Sequence, residues 1–237
     1  MATDHRENGS NSSTPRGAMV GVAGESITLL PQRAAFWPAR RTLLVADLHL
    51  GKEETFRSFG IAMPRTVLDE TLERLSATAR ATDAERIVVV GDLVHARRGL
   101  TREVVERVAA WRDGFAGAIE YVAGNHDLRA EIPEAWRMRR REPLDAPFAF
   151  VHDPADVGDG NTYAWCGHLH PTVRLASSTD RLVMPCFVIG VRRAILPAFT
   201  QFARGPGYEP TPDERVFAVA ERDVVEIPAS ALVAVSE

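Results

Sequence analysis

Four times between residues 41 and 152, a short apolar run rich in β-branched side chains halts on a polar cluster. Arg41 to Ala46 stops at Asp47, Arg86 to Val90 at Gly91-Asp92, Ala118 to Ala123 at Gly124-Asn125, and Phe148 to Val151 at His152. Runs of this kind read as buried strands feeding loops. Helical patterns lie between them. From Pro64 to Arg80, the residues Val67, Leu68, Leu72, Leu75 and Ala79 share one face, behind a proline suited to a first turn. Val104, Val105, Val108 and Trp111 recur at helical spacing behind Thr101, a good N-cap. The alternation predicts an α/β layered fold, in which ligands gather at the carboxyl ends of the strands. After Thr162 the pattern changes to short β-rich pieces, Leu182 to Met184, Phe187 to Ile189 and Val216 to Val219, with no helix between them. A second, more antiparallel sheet is the expectation there.

A chain of 237 residues suits one domain. The first 18 residues, rich in Asn, Ser and Thr, are expected to form a disordered tail, with residues 19–237 as a single domain. That tail lacks the apolar core of a secretory signal, and no apolar run approaches the roughly 20 residues that span a bilayer. Two cysteines, Cys166 and Cys186, could form at most one bridge, which points to a reducing cytoplasm. A net charge of -4 rules out long-range attraction of the whole molecule for nucleic acid, so any polyanion must be drawn in locally. Basic groups cluster at Arg97-Arg98, at Arg192-Arg193 and from Arg137 to Arg141. The last of these reads as a solvated face.

Six of the seven histidines lie at or beside the strand ends: His49, His95, His126, His152, His168 and His170. Only His5 does not. In order, the polar clusters are Asp47-Leu-His49, Gly91-Asp92, Gly124-Asn125-His126-Asp127, His152 and Gly167-His168-Leu-His170. The alternating pairs fit ordinary strands that point two side chains to one face. Glycines before Asp92, Asn125 and His168 permit sharp turns and close backbone approach. A set of carboxylate, imidazole and amide donors suits divalent ions such as Mn²⁺, Fe²⁺ or Zn²⁺. Cys166 reads as a buried small hydrophobe and not as a ligand.

Taken together, D-x-H, G-D, G-N-H-D, H and G-H-x-H resemble the motif set of the calcineurin-like metallophosphoesterases, from Asp47 to Pro171. That resemblance implies a four-layer α/β fold, a β-sandwich flanked by helices. It further implies that Asp47, His49 and His170 hold one divalent ion, that Asn125, His152 and His168 hold another, and that Asp92 bridges the two. Two such ions activate a bridging hydroxide as nucleophile and hold the phosphoryl oxygens. His126 would then protonate the leaving group, with Asp127 orienting its ring. Protein phosphatases of the superfamily carry an Asp where His95 stands, followed by Arg-Gly, whereas this chain reads His95-Ala-Arg-Arg-Gly99. His95 is accordingly expected behind a ligand or against substrate. Arg97 and Arg98, with Lys52 and Arg57 as further candidates, would neutralise substrate phosphates.

Outside the metal motifs, Arg33 to Ala39, Leu43 to Lys52, Phe56-Arg57, Gly60-Ile61 and Gly91 to His95 resemble the bacterial DNA-ligase-associated metallophosphoesterase (PdeM) subfamily. This implies a Mn²⁺-dependent phosphodiesterase or endonuclease acting on DNA, single-stranded above all, in DNA repair and alongside repair proteins. A phosphoesterase of nucleotides or other small phosphate esters is the alternative, since it needs the same metals. A scaffold without activity is disfavoured by the complete ligand set.

Overall fold

The computed structural model describes residues 17–176, 181–203, 205 and 207–232. His5 and nearly all of the expected tail lie outside them. The first elements are three antiparallel strands that the sequence reading missed: β1 (Ala18–Val22), β2 (Glu25–Leu30) and β3 (Ala34–Trp37). Ala23 and Gly24, at φ 51° and 80°, form the two-residue turn between β1 and β2, with Val22 opposite Glu25. Two successive positive φ values match the right-handed twist of the flanking strands.

β3 pairs antiparallel with β4 (Thr42–Ala46), and from there the chain winds as expected. The short α1 (Lys52–Ser58) and the longer α2 (Val67–Ala81) lead to β5 (Arg86–Val90), and α3 (Arg102–Asp113) leads to β6 (Ala118–Val122) and the edge strand β7 (Arg139–Arg140). β4, β5, β6 and β7 are parallel neighbours in a seven-stranded sheet. α2 starts later than expected. Its first backbone bond runs from Glu70 N to Thr66 O, so Pro64 precedes the helix instead of opening it. Thr101 caps α3 as predicted, its hydroxyl accepting from Val104 N.

The second sheet has eight strands. They are β8 (Leu144–Asp145), β9 (Phe148–Val151), β10 (Tyr163–Cys166), β11 (Thr172–Ala176), β12 (Arg181–Ile189), β13 (Arg193–Ile195), β14 (Arg215–Val219) and β15 (Val224–Ile227). It is mixed: β9, β10 and β13 run parallel, while the pairs made by β12 and β14 are antiparallel. The two pieces read around residues 182–189 are one strand. It pairs with β11 up to Pro185 and with β14 from Cys186 onward. Proline, with no N–H to give, stands where the strand changes partner.

Strand alternation sorts the core. Leu44, Ala46, Val88 and Val90 face the second sheet, where Phe148, Phe150, Trp165 and Phe187 meet them. Trp37 and Phe148 pack edge to face across this seam, with centroids 4.7 Å apart. Leu43, Val45, Ile87 and Val89 turn the other way, onto Leu68, Leu72 and Leu75 of α2 and Val104 and Val108 of α3. Each such Leu or Val, taken out of water, stabilises the fold by about 1.5–3 kcal/mol. The outer face of the second sheet, with Cys166 and Cys186, is covered by Val173, Tyr208 and coil, and no α-helix lies there among the described residues. Both cysteines are buried thiols without a bridge. Among the described residues, no helix is long and apolar enough to cross a membrane.

Candidate metal centre

β4, β5 and β6 end level with one another, since Ala46 is paired with Val90 and Val90 with Val122. Asp47, Asp92 and Asn125 therefore leave the sheet on one edge. The second sheet brings His152 from the end of β9, and His168 and His170 from the loop after β10. The loops are tied by backbone bonds: Asp47 N donates to Gly91 O (3.2 Å), His49 N to Asp92 O (2.9 Å), and Gly167 N to His152 O (3.0 Å).

The alternating pairs do not sit in strands, contrary to the strand-face reading. Asp47, His49, Asp92, His168 and His170 all have left-handed backbones, with φ of 55°, 48°, 44°, 69° and 48°. Residues of these types tolerate that region better than most, yet each such position stores about 1 kcal/mol or more of strain. Repeated reversal of the backbone turns D-x-H and H-x-H inward on tight loops. Close approach does the rest. A Cβ on Gly91, itself at φ 79°, would lie 1.8 Å from His152 Nδ1, and one on Gly124 would lie 2.2 Å from Asp92 Oδ1.

The donor atoms converge. Asp47, His49 and His170 offer atoms within 4.8 Å of one another, as do Asp47, Asp92 and His152. His49 Nε2 lies 3.4 Å from His170 Nε2, His168 Nδ1 lies 3.1 Å from His152 Nε2, and Asn125 Oδ1 lies 3.0 Å from that same Nε2. Asp92 stands between the groups, with Oδ1 3.4 Å from His152 Nε2 and Oδ2 3.8 Å from His49 Nε2. All seven expected ligands are thus brought together.

Burial pushes the Asp47 carboxyl up, against the hydrogen bond and charge of His170. For Asp92, burial also raises, but the His152 hydrogen bond and charge, the His126 N–H and His49 outweigh it and hold the carboxyl at about 2. Burial drives the His49 imidazole down to about 2 and, with Lys52 and His126 adding to it, His95 to about 4. His152 goes the other way: burial lowers its pKa, but Asp92 and Asp47 together raise it further. Two buried carboxylates converging with imidazole nitrogens and an amide oxygen form the kind of donor set that divalent ions take.

His126 and Asp127 do not form the expected pair. His126 Nδ1 contacts the carbonyl oxygen of His95 at 2.5 Å, and its Nε2 lies 3.9 Å from Asp92 Oδ2. The Asp127 carboxylate is turned away, accepting from the N–H groups of Leu93 (3.1 Å), Val94 (2.9 Å) and Gly124 (2.9 Å). It therefore clamps the loops after β5 and β6 together, and the His95 carbonyl orients the ring. His95 itself stacks on His126 (centroids 4.9 Å, 23°) and on Phe56 (5.8 Å, 18°), with Nδ1 3.4 Å from His49 Nδ1. It belongs to the cluster's edge, where His49, His95 and His126 again offer donor atoms within 4.8 Å of one another.

Beside His126 opens a cleft of about 460 Å³ lined by His95, Arg97, Arg98, Asn125, His126 and Arg129. Arg97 and Arg98 are where substrate contact was expected. Arg129 was missed, although its place three residues after His126, in one 3-10 turn, gave a signal. Arg57 instead pairs with Glu54 and donates to Met63 O (3.3 Å). Lys52 is held low by burial, its Nζ 6.0 Å from the Phe56 ring. Within the 137–141 run, Arg137 is paired with Asp113, Arg139 with Glu120 (3.0 Å) and Arg141 with Glu120 (3.2 Å).

No family model matches this chain, and no curated protein does so. Among solved structures, the nuclease MPE of Pseudomonas putida is similar over 90% of this chain and 100% of its own, with 31% identity and a TM-score of 0.77. Yfce, a phosphoesterase from E. coli, matches 78% of this chain and 97% of its own at 15% identity and a TM-score of 0.38, a likeness too slight to argue from.

Proposed function

Because this chain belongs to the metallophosphoesterase family together with that Pseudomonas putida nuclease, we propose that it is a dinuclear metal-dependent phosphodiesterase that cuts DNA internally. Single-stranded DNA is its substrate and DNA repair its setting, in the cytoplasm and alongside repair proteins, as its resemblance to the DNA-ligase-associated subfamily suggests. The observation that carries this reading is the convergence of seven donor side chains from both sheets at one edge, beside an arginine-lined cleft.

Asp47, His49 and His170 would hold one ion, Asn125, His152 and His168 the other, with Asp92 between them. Mn²⁺ is the first choice for a mixed oxygen and imidazole set, ahead of Fe²⁺ and Zn²⁺. Bound there, two divalent ions supply a hydroxide at neutral pH and Lewis-acid support for the phosphoryl oxygens. The protein's own part is positional and protonic. Arg97, Arg98 and Arg129 draw the phosphate backbone into the cleft in spite of the overall negative charge. The His95 carbonyl accepts from His126 Nδ1–H, which leaves Nε2 facing the cluster. When the ring carries a second proton, on Nε2, that proton can pass to the departing oxygen and leave the neutral Nδ1–H ring on the His95 carbonyl.

Cleavage of a circular single strand, measured across a panel of divalent ions beside a chromogenic diester and monoester, tests the reading. Asp92→Asn is expected to abolish turnover and lower metal content, and His126→Ala to abolish turnover with metal retained. Hydrolysis of the monoester alone would defeat the nuclease assignment and favour a small-molecule phosphoesterase. Normal cleavage by His126→Ala would defeat its role as the acid.

A further inference from the structure

The chain leaves α1 through Phe59, whose ring is 65% exposed and contributes to none of the three apolar clusters. Arg98 packs on it, its guanidinium carbon 4.8 Å over the ring. Arg98 also lines the cleft that holds His95, Asn125 and His126. The placement is firm. His95 N donates to Leu50 O (3.1 Å) just before α1, and Phe56, one turn before Phe59, stacks on His95. An aromatic face therefore stands at the rim of the cleft, joined to it by a cation that faces both ways.

Phe59 and Ile61, 65% and 49% exposed, present a small apolar face to solvent beside the arginine-lined cleft, open to a partner. Arg97, Arg98 and Arg129 along the cleft suit a partner that carries phosphates. A ring capped by a guanidinium next to a row of arginines accepts a flat π-system: the base slides onto the ring or the guanidinium plane, and its phosphate takes the neighbouring charge. Paired bases in a duplex have no free face to offer. The geometry points to Phe59 and Arg98 as a stacking platform for one unpaired base of the DNA strand, next to the phosphate held at the metal centre. Phe59 is thus a substrate-positioning residue, an inference that rests on the DNA phosphodiesterase reading above.

The test compares wild type, Phe59→Ala and Phe59→Trp as full chains with Mn²⁺, on a single-stranded oligodeoxynucleotide and on bis(4-nitrophenyl) phosphate. Loss of one stacked base is expected to raise KM for the strand about fivefold or more in Phe59→Ala, with the loss in kcat smaller, and Phe59→Trp should restore it. A 2-aminopurine in the strand should be quenched on binding wild type and Phe59→Trp, and remain bright with Phe59→Ala. An unaltered KM for the strand, or an equal loss on the small diester, overturns the platform. Wild-type protein that hydrolyses the small diester and leaves DNA whole overturns the DNA reading itself, so the two failures can be told apart.

Discussion

Replacing Gly91 by alanine should dismantle the centre without touching a ligand. The added Cβ would sit 1.8 Å from His152 Nδ1, where ordinary contact begins at 3.4 Å, so the ring must retreat by roughly 1.6 Å. His152 Nε2 now lies 3.0 Å from Asn125 Oδ1 and 3.4 Å from Asp92 Oδ1. A bound metal tolerates only about 0.2 Å of error in ligand distance, so the displaced ring cannot serve. Metal affinity should fall about tenfold or more, as judged by calorimetric titration with Mn²⁺. A second effect is superimposed, because Gly91 has φ 79°, and an L-residue there costs about 1–2 kcal/mol. For a chain of this size that lowers Tm by about 2–8 °C. Gly24→Ala separates the two effects. Gly24 has φ 80° with nothing within 4 Å of its Cβ position, so this variant should lose similar stability and bind metal normally. Wild-type affinity in Gly91→Ala, or an equal loss in Gly24→Ala, would refute the argument.

Asp127→Ala strands the N–H groups of Leu93, Val94 and Gly124, and each buried donor left unpaired costs about 1–3 kcal/mol. Urea unfolding of the metal-free protein should show a loss of about 3 kcal/mol or more, and a loss under about 1 kcal/mol would refute the clamp. The thiols of Cys166 and Cys186, pushed up to about 12 by burial, should resist alkylation in the folded protein at pH 8. Their folded pKa lies above the unfolded 9.0, so the folded state holds protons that the unfolded state releases from pH 9 upward. Stability is therefore full below pH 9 and is lost as pH rises toward 12, by about 1.4 kcal/mol per thiol at pH 10. Unfolding curves at pH 8.5 and 10 that coincide would contradict this.

The sequence was most readable where burial was two-sided. β4 and β5 face both the second sheet and the helices, so after Thr42 and Arg86 their residues are all apolar and halt sharply at Asp47 and Gly91. β1 and β2 carry a more mixed pattern, with Gly21, Ser26 and Thr28 among their members, and an Ala23-Gly24 turn that lacks the usual Asn or Asp. They went unseen. The ligands were legible as residue types in a set order, whereas the left-handed backbone that aims them was not, because strand spacing gives the same alternation. Asp127 shows a further limit. Two of the N–H groups it accepts from lie 33 and 34 residues upstream, and no local pattern names them.

The donors come from two sources, Asp47, His49, Asp92 and Asn125 from loops of the first sheet, and His152, His168 and His170 from loops of the second. Any ion seated among them is consequently a rivet through the open end of the sandwich, opposing the same separation that the Trp37–Phe148 contact resists inside the seam. Loading the centre and holding the halves shut become one thermodynamic quantity. A side-chain change deep between the layers, far from any ligand, would then register as altered affinity for the ion.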